Sequence, residues 1–299
     1  MRWSLAPRRV LGYPFRVTNA DLTDATLVLI GHGTELNEDS GIPVRQHSAE
    51  LRRRRCFAEV REAYWKQDPR ATDVVLRLTT RRVFLVPLFI SEGYFSEQVI
   101  PQALGFETAG QGVLTRVRES GGQTLFYARP VGTHEAMTRV LLARAHGVIR
   151  QFPFPRAPKP ADTTLFIAGH GTEQNANSRA VIERQAELVQ ALAVFAAVHP
   201  VFLEEEPRIA TCYSTAQTRN VVVVPFFISD GLHVREDIPV LLGEPERVVR
   251  QRLQNGQPTW RNPTEKQGKL VWYASAVGTE PLLADVILER AKEAASFSD

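Results

Sequence analysis

Two stretches of the chain are nearly the same: TLVLIGHGTELNEDS at 26–40 and TLFIAGHGTEQNANS at 164–178. His32 and His170 occupy the same place in the two stretches. So long a motif repeated without a gap indicates an internal duplication. In each copy an apolar run precedes Gly-His-Gly, which predicts a buried strand that ends at the histidine.

Two further pairs of segments extend the duplication. VFLVPLFISEGYFSEQVIPQALG at 83–105 matches VVVVPFFISDGLHVREDIPVLLG at 221–243, in the same register as the first pair. LFYARPVGTHE at 125–135 matches VWYASAVGTEP at 271–281, but in a shifted register. The segment before this last pair is therefore longer by eight residues in the second copy, and we expect it to form a surface loop.

The duplication also divides the chain. Between the copies lies QFPFPRAPKPAD at 151–162, whose four prolines favour an extended linker. The sequence therefore predicts an N-terminal arm at 1–24, a first lobe at 25–150 and a second lobe at 163–299.

The short apolar runs predict the fold class. Leu27 to Ile30, Val83 to Val86 and Leu125 to Tyr127 are continuous rather than alternating, as in parallel strands covered on both faces. Helical patterns separate them, so right-handed βαβ units are expected. We predict an α/β protein of two tandem, repeated, doubly wound domains with central parallel sheets. Ligands of such sheets bind beyond the carboxyl ends of the strands.

Composition narrows the possible partners and location. The 36 Lys and Arg residues nearly balance the 33 Asp and Glu residues, so a net charge of +3 does not indicate a nucleic-acid partner. Cys56 and Cys212 form no metal-binding or disulfide motif, which favours a reducing cytoplasm. No segment reaches the roughly 20 apolar residues of a membrane-spanning helix, and residues 1–24 lack a signal-peptide core, so we expect a soluble protein without a membrane partner.

The second copy carries a candidate metal and proton site. His170 follows one buried strand, and His233 follows another that breaks at Asp230-Gly231, so both imidazoles are expected at one sheet edge. Two neighbouring imidazoles can ligate a divalent metal or accept protons near neutral pH. Glu204, at the end of the short strand Val201 to Leu203, is a candidate third ligand. The alternatives are a strand-to-loop turn with an incidental histidine, a loop histidine bound to backbone, and a solvated acidic loop at 204–206.

The first copy has lost two of these groups. Phe95 stands where the second copy has His233, and Lys66 stands where it has Glu204. An ammonium opposes a bound cation, so the first lobe is expected to keep the fold without the chemistry. We expect it to line the opposite wall of a substrate cleft with His32, Tyr94 and Phe95.

Other basic residues have weaker patterns. His47 and His146 lie on predicted helices, and His134 and His199 lie near the ends of elements, so surface or capping positions are expected for all four. The run of arginines at 52–55 spans about one helical turn and spreads its charge around the helix. It is interpreted mainly as solvated surface, with attraction of an anionic partner as the alternative.

The motif of the second copy resembles a known family. Gly-His-Gly at 169–171 combined with G-x-H-V-x-x-D-I-P at 231–239 resembles the class II chelatases, in particular the sirohydrochlorin cobaltochelatase (CbiX) and ferrochelatase (SirB) group. Phe-Leu-Glu at 202–204, with Glu-Pro at 206–207, is similar to the family's middle segment. The resemblance covers both lobes, and the family contains single-lobe dimers and fused two-lobe chains.

The resemblance implies a fold, a reaction and a place in metabolism. It implies a chelatase-like fold and ATP-independent insertion of Co²⁺ or Fe²⁺ into sirohydrochlorin or a related tetrapyrrole, in cobalamin or siroheme biosynthesis. The metal is then a substrate, and no other cofactor is expected. The chain is expected to act as a two-lobed monomer or as a homodimer.

The resemblance also implies residue roles. It assigns the catalytic pair to His170 and His233, with Glu204 as an added metal ligand. Arg179 and Arg235 are expected to contact peripheral carboxylates of the substrate. The histidine pair is expected in the N-terminal lobe of fused relatives, whereas here it stands in the C-terminal one.

Two other functions compete with metal insertion. A non-catalytic carrier of metal or tetrapyrrole would use the same ligands without turnover. A phosphoryl-transfer enzyme of the histidine phosphatase type also places a histidine after a strand. That type needs an arginine directly before the histidine, and here Gly31 and Gly169 occupy the position.

Overall fold

A computed structural model describes residues 21–34, 38–110, 113–172 and 176–298. Most of the predicted N-terminal arm, residues 1–20, lies outside this part of the chain. No helix within the described ranges is both long and apolar enough to cross a membrane.

The first half contains seven strands and four helices in its described residues. In chain order they are β1 Thr26–Gly31, α1 Ile42–Arg54, β2 Glu59–Tyr64, α2 Ala71–Leu76, β3 Arg82–Pro87, α3 Ile100–Ala103, β4 Thr108–Ala109, β5 Val113–Leu114, β6 Val117–Ser120, β7 Gln123–Tyr127 and α4 Met137–Gln151.

The second half repeats this order with one change. Its elements are β8 Thr163–Gly169, α5 Ala176–Ala191, β9 Ala197–Phe202, α6 Cys212–Thr215, β10 Asn220–Pro225, α7 Ile238–Leu241, α8 Glu246–Gln254, β11 Thr264–Lys266, β12 Lys269–Tyr273 and α9 Leu283–Ala295.

The two main sheets have the same strand order. The first runs β2-β1-β3-β7-β6 and the second runs β9-β8-β10-β12-β11. In each sheet four strands are parallel, and the last strand pairs antiparallel at one edge. The prediction of two repeated α/β units with mostly parallel central sheets is confirmed.

One hydrophobic core is shared by both sheets. On β1, Leu27 and Leu29 face this shared core, to which α1, α4, α5 and α9 also contribute. Val28 and Ile30, on the opposite face of β1, belong to a separate core of the first half. On β8, one face likewise belongs to the shared core and the other to a separate core of the second half. The strands are apolar throughout because both faces are covered.

The last helix of each half packs on the sheet of the other half. Helix α4 contacts β10 and β12 of the second sheet, and α9 contacts β3 and β7 of the first. Each sheet therefore has one face covered partly by a helix from the other repeat. The boundary predicted near residue 150 separates the strands of the two sheets, but α4 lies against the second sheet.

Two arginines on the exchanged helices make equivalent contacts. Arg144 Nε donates to the carbonyl of Ala276 at 3.0 Å, and Arg290 Nε donates to the carbonyl of Pro130 at 3.1 Å. Each guanidinium also donates to the threonine hydroxyl three residues further along, at 2.6 Å and 2.5 Å respectively. Arg290 is 5% exposed and also binds Glu293 at 2.6 Å. These contacts join the halves through buried and partly buried, charge-assisted hydrogen bonds.

His47 lies at the same junction, and the expectation of a surface position was wrong. Its side chain is fully buried, and Nε2 donates to the carbonyl of Gly278 at 2.8 Å. At the equivalent position of the second half, Gln185 donates to the carbonyl of His134 at 3.1 Å. The surface that covers His47 comes from the distant repeat, so the local helical pattern does not reveal it.

The longer segment of the second copy was expected to be a surface loop, but it contains regular secondary structure. It contains α8, whereas the first half has the small β4–β5 hairpin in this place, and it continues into β11, the equivalent of β6. Pro245 precedes the first turn of α8, and Val249, within the helix, is fully buried. Arg252 pairs with Glu244 at 2.8 Å and fixes the end of the helix to its start. The helix has nine residues, and Val249 is the one buried among them, so its mostly polar composition resembles that of a loop in the sequence.

Replacing Arg290 should destabilise the whole chain. In Arg290→Met, the carbonyl of Pro130 and the hydroxyl of Thr133 lose a buried donor, and we expect a loss of about 3 kcal/mol in the free energy of unfolding. Arg139→Met is the matched control, because Arg139 pairs with Glu289 at 2.6 Å on a half-exposed surface and should contribute about 1 kcal/mol or less. Denaturant unfolding gives the free energy of unfolding of both variants. An equal loss in Arg290→Met and Arg139→Met would contradict a special role of the buried contact.

His47 should make the stability depend on pH. Burial lowers the pKa of His47, so the folded protein holds the ring neutral while the unfolded chain binds a proton below a pH of about 6.5. Stability should therefore fall as the pH drops below this value, by at most about 1.4 kcal/mol per pH unit for this group. His47→Gln keeps a donor of the kind that Gln185 provides and removes the titration. Denaturant unfolding at pH 7.5 and 5.5 should show a smaller difference for His47→Gln, whereas an unchanged difference would be inconsistent with this origin.

Candidate active site

Two glycines place His170 at the carboxyl end of β8. A β-carbon on Gly169 would lie 1.8 Å from Cδ1 of Ile182, so a side chain there would collide with α5. Gly171 has a φ of +63°, which L side chains rarely adopt. Gly169 therefore lets α5 pack closely on the end of β8, and Gly171 lets the backbone turn just after His170, which presents the ring at the edge of the sheet.

His233 reaches the same edge from the neighbouring strand. It follows β10 and opens a π-helical turn, His233–Asp237, that runs directly into α7. The ring centroids of His170 and His233 are 4.9 Å apart, and the planes meet at 81°. The structure thus brings together the two imidazoles that the sequence selected. Their catalytic role stays a prediction.

Glu204 lies next to His170. Its backbone N–H donates to the carbonyl of His170 at 3.1 Å, and its Oε1 is 3.7 Å from His170 Nε2. Within the described ranges, no three His, Cys, Asp or Glu side chains are arranged as a metal-binding group. The His170–His233–Glu204 ligand set therefore stays a prediction, in which the side chains must move towards the ion.

An acidic cavity opens beside His233. Its volume is about 360 Å³. Most of its charged lining is carboxylate, which favours the approach of a cation. The lining residues are Leu203, Glu204, His233, Glu236, Asp237, Val240, Leu241, Glu246 and Arg250.

The equivalent place in the first half has a different chemistry. The rings of His32 and Phe95 are 4.8 Å apart and meet edge to face, and Lys66 Nζ lies 5.2 Å from the centre of the Phe95 ring. His32 Nδ1 donates to the carbonyl of Gly33 at 2.9 Å. Burial lowers the pKa of His32, and the Lys66 ammonium lowers it further. This charge distribution disfavours a cation here, and the loss of the chemistry from the first half stays a prediction.

The loop that carries the predicted wall residue Tyr94 contacts the second half. Tyr94 is 65% exposed and contacts Phe95 edge to face at 5.5 Å. Asn177 Nδ2, at the start of α5, donates to the carbonyl of Glu92 at 3.4 Å. This contact joins the loop that carries Tyr94 to the helix that follows the His170 turn. Substrate contact by Tyr94, Phe95 and His32 stays a prediction.

The two arginines expected to bind substrate are not gathered at the histidine pair. Arg179 binds Glu183 at 2.8 Å and Glu205 at 3.2 Å, and its guanidinium covers the ring of Phe202. Arg235 lines a separate cavity of about 510 Å³ together with Tyr273 and Asp230, among others. Both substrate-binding assignments stay predictions, and Arg179 would have to exchange carboxylate partners to fulfil its own.

Sequence reasoning gave no role to Asp237. Its Oδ2 is 2.6 Å from Nδ1 of His233, and the two residues are four positions apart in the same turn. The spacing is visible in the sequence, but only the π-helical turn shows that it brings the two side chains together.

Comparison with known proteins identifies the family. The CbiX family model matches the chain twice, at residues 26–147 and 164–294. The chain belongs to the CbiX family. A probable sirohydrochlorin cobaltochelatase of Halobacterium salinarum is 39% identical to this CbiX protein, covering 90% of this chain and 91% of the relative. A sirohydrochlorin cobaltochelatase of Methanopyrus kandleri is 32% identical over 44% of this chain and 95% of its own length.

Solved structures agree with the fold of a CbiX protein. A multi-domain protein of Deinococcus radiodurans with structural similarity to chelatases aligns with a TM-score of 0.70 and 29% identity. The alignment covers 91% of this chain but only 55% of that protein, which has two additional domains. SirB of Bacillus subtilis, solved with Fe³⁺, has a TM-score of 0.62 over 92% of this chain and 96% of its own. At 16% identity, SirB supports the fold alone.

Proposed function

We propose that this CbiX protein is a metal chelatase that inserts a divalent metal, Co²⁺ or Fe²⁺, into sirohydrochlorin or a closely related tetrapyrrole without ATP. The observation that carries the proposal is the pair of imidazoles, His170 and His233, at one sheet edge of a chain that matches the family model twice. The cobaltochelatase names of the relatives from Halobacterium salinarum and Methanopyrus kandleri support the reaction. Cobalamin or siroheme biosynthesis is the corresponding pathway.

The arrangement of side chains suits this reaction. Insertion replaces two pyrrole N–H protons by one M²⁺ ion, so the site must deliver a cation and remove two protons. Imidazoles can do both, because a neutral ring either ligates a metal or accepts a proton near neutral pH. His170 and His233 are 32% and 50% exposed, which leaves them accessible to a flat macrocycle.

The charges around the site suit the two substrates differently. The carboxylates of the cavity beside His233 attract the metal ion. The first half presents aromatic rings and the Lys66 ammonium instead of ligands, a combination suited to an anionic, aromatic molecule. We propose that the metal approaches from the second half, and that the first half provides a wall for the tetrapyrrole. Nitrogen and oxygen ligands accept both cobalt and iron, so selection between them follows supply.

Anaerobic insertion assays test this function. Co²⁺ and Fe²⁺ are supplied separately with sirohydrochlorin, and the change in its visible spectrum gives the rate. His233→Ala and His170→Ala should each lose about 100-fold or more in kcat, because each removes a group that handles metal or protons. His32→Ala is the matched control, since it removes the equivalent histidine of the first half: it should keep most of kcat, and loss of a tetrapyrrole contact would raise KM instead.

The opposite result would favour a carrier. If the wild type binds tetrapyrrole or metal tightly but does not exceed the spontaneous rate with either ion, the chelatase proposal fails. If His32→Ala is as damaging as His233→Ala, the assignment of the active site to the second half is wrong.

A further inference from the structure

We propose that Asp237 is a positioning residue that fixes which nitrogen of His233 meets the metal. Its carboxylate holds the Nδ1 proton of the ring and leaves the lone pair of Nε2 free as the ligand. This inference rests on the proposed function and assigns a role in delivery of the metal to a residue outside the predicted site.

The hydrogen bond defines the tautomer. His233 Nδ1 and Asp237 Oδ2 are 2.6 Å apart, the separation of a short, charge-assisted hydrogen bond. An ionised carboxylate has no proton to donate, so the imidazole donates from Nδ1 and Nε2 is the unprotonated nitrogen. Carboxylates bound to metal-ligating histidines commonly act in this way, fixing the ring and raising its basicity.

The turn itself does not need Asp237. Its backbone is held by Tyr273, whose hydroxyl donates to the carbonyl of Val234 at 2.6 Å. Val234 and Ile238 are both buried and anchor the turn in the core of the second half. The side chain of Asp237 is 47% exposed, so its removal leaves this anchoring in place.

The first half provides a natural comparison. Phe95–Val99 forms the same π-helical turn, and the Tyr127 hydroxyl donates to the carbonyl of Ser96 at 2.8 Å. This turn forms although Phe95 replaces the histidine and Val99 replaces the aspartate. The carboxylate is thus absent together with the imidazole, while the fold persists. The comparison indicates that Asp237 serves His233 rather than the turn.

The two imidazoles of the site are not equivalent. His233 has a carboxylate partner on Nδ1. Nδ1 of His170 is buried and has no hydrogen-bond partner within the described ranges. Only the ring of His233 therefore has its ligating nitrogen fixed by a neighbouring side chain before metal arrives.

Metal binding and ring tautomers test the proposal without the insertion assay. Co²⁺ absorption titrations are made on the full chain with Asp237→Ala, Asp237→Asn, His233→Ala and the double variant His233→Ala with Asp237→Ala. Asp237→Ala should weaken Co²⁺ binding by about 10- to 100-fold. Asp237→Asn keeps an acceptor without the charge and should fall between Asp237→Ala and wild type. In the His233→Ala background, Asp237→Ala should have no further effect.

Nitrogen-15 shifts of the His233 ring, recorded where the ring is neutral, provide the second measurement. The wild type should carry its proton on Nδ1, and Asp237→Ala should move a large share of it to Nε2. Circular dichroism and thermal unfolding confirm that each variant is folded. The proposal is overturned if the tautomer does not change, or if Asp237→Ala weakens Co²⁺ binding equally with and without His233, which would indicate a general charge effect.

The two proposals fail in different ways. A wild type that binds Co²⁺ through His233 and Asp237 but never inserts it would remove the chelatase function and leave the positioning role intact. Insertion that needs His233 but tolerates Asp237→Ala, with Co²⁺ affinity unchanged, would leave the function and remove the positioning role.

Discussion

Each sheet of this protein depends on a helix from the other repeat. Because α4 covers part of the second sheet and α9 covers part of the first, the apolar faces of β3 and β10 are buried only when both halves are present. The exchange brings Arg144 and Arg290 against backbone carbonyls of the opposite half. Burial of apolar surface supplies most of the driving force for folding. The guanidinium groups covered in the process need hydrogen-bond partners, because an unpaired buried donor would offset part of this gain.

This constraint explains which parts of the repeat stayed alike. Strand residues such as Leu27 and Leu165 face the shared core, so a change in either half disturbs the packing of both. Side chains at the strand ends face away from that core and can change without loss of the fold. Phe95 and Lys66 are such differences: they place an aromatic ring and an ammonium where the second half has His233 and Glu204, while the turn around Phe95 keeps its form.

The two halves therefore have similar folds but carry different charges at the equivalent edges of their sheets. The second half collects His170, His233 and several carboxylates at one edge, whereas the first half places an ammonium over an aromatic ring. A reaction that joins a cation to an anionic macrocycle needs surfaces of both kinds. A duplicated fold can provide them because its halves diverge only where the core does not restrict them.

Predictions from the sequence were most accurate where the signal was local or repeated. Continuous apolar runs identified β1, β3 and β7, and the common register of two long motif pairs identified the duplication. The approach of His170 and His233 also followed, since the carboxyl ends of neighbouring parallel strands meet at one edge. By contrast, the segment of α8 was expected to be a loop, because the helix is short and mostly polar and buries only Val249.

The repeated α/β architecture and the pair of histidines could be predicted from the chain alone, because apolar runs and motif spacing are local features. Three features became visible only in the folded molecule: α4 and α9 each pack on the sheet of the other half, His47 is buried against the carbonyl of Gly278, and Asp237 holds Nδ1 of His233. The first two depend on contacts between distant parts of the chain, which no local pattern records. The third depends on residues 233–237 forming a helical turn rather than the expected loop, because side chains four positions apart face each other only in a helix.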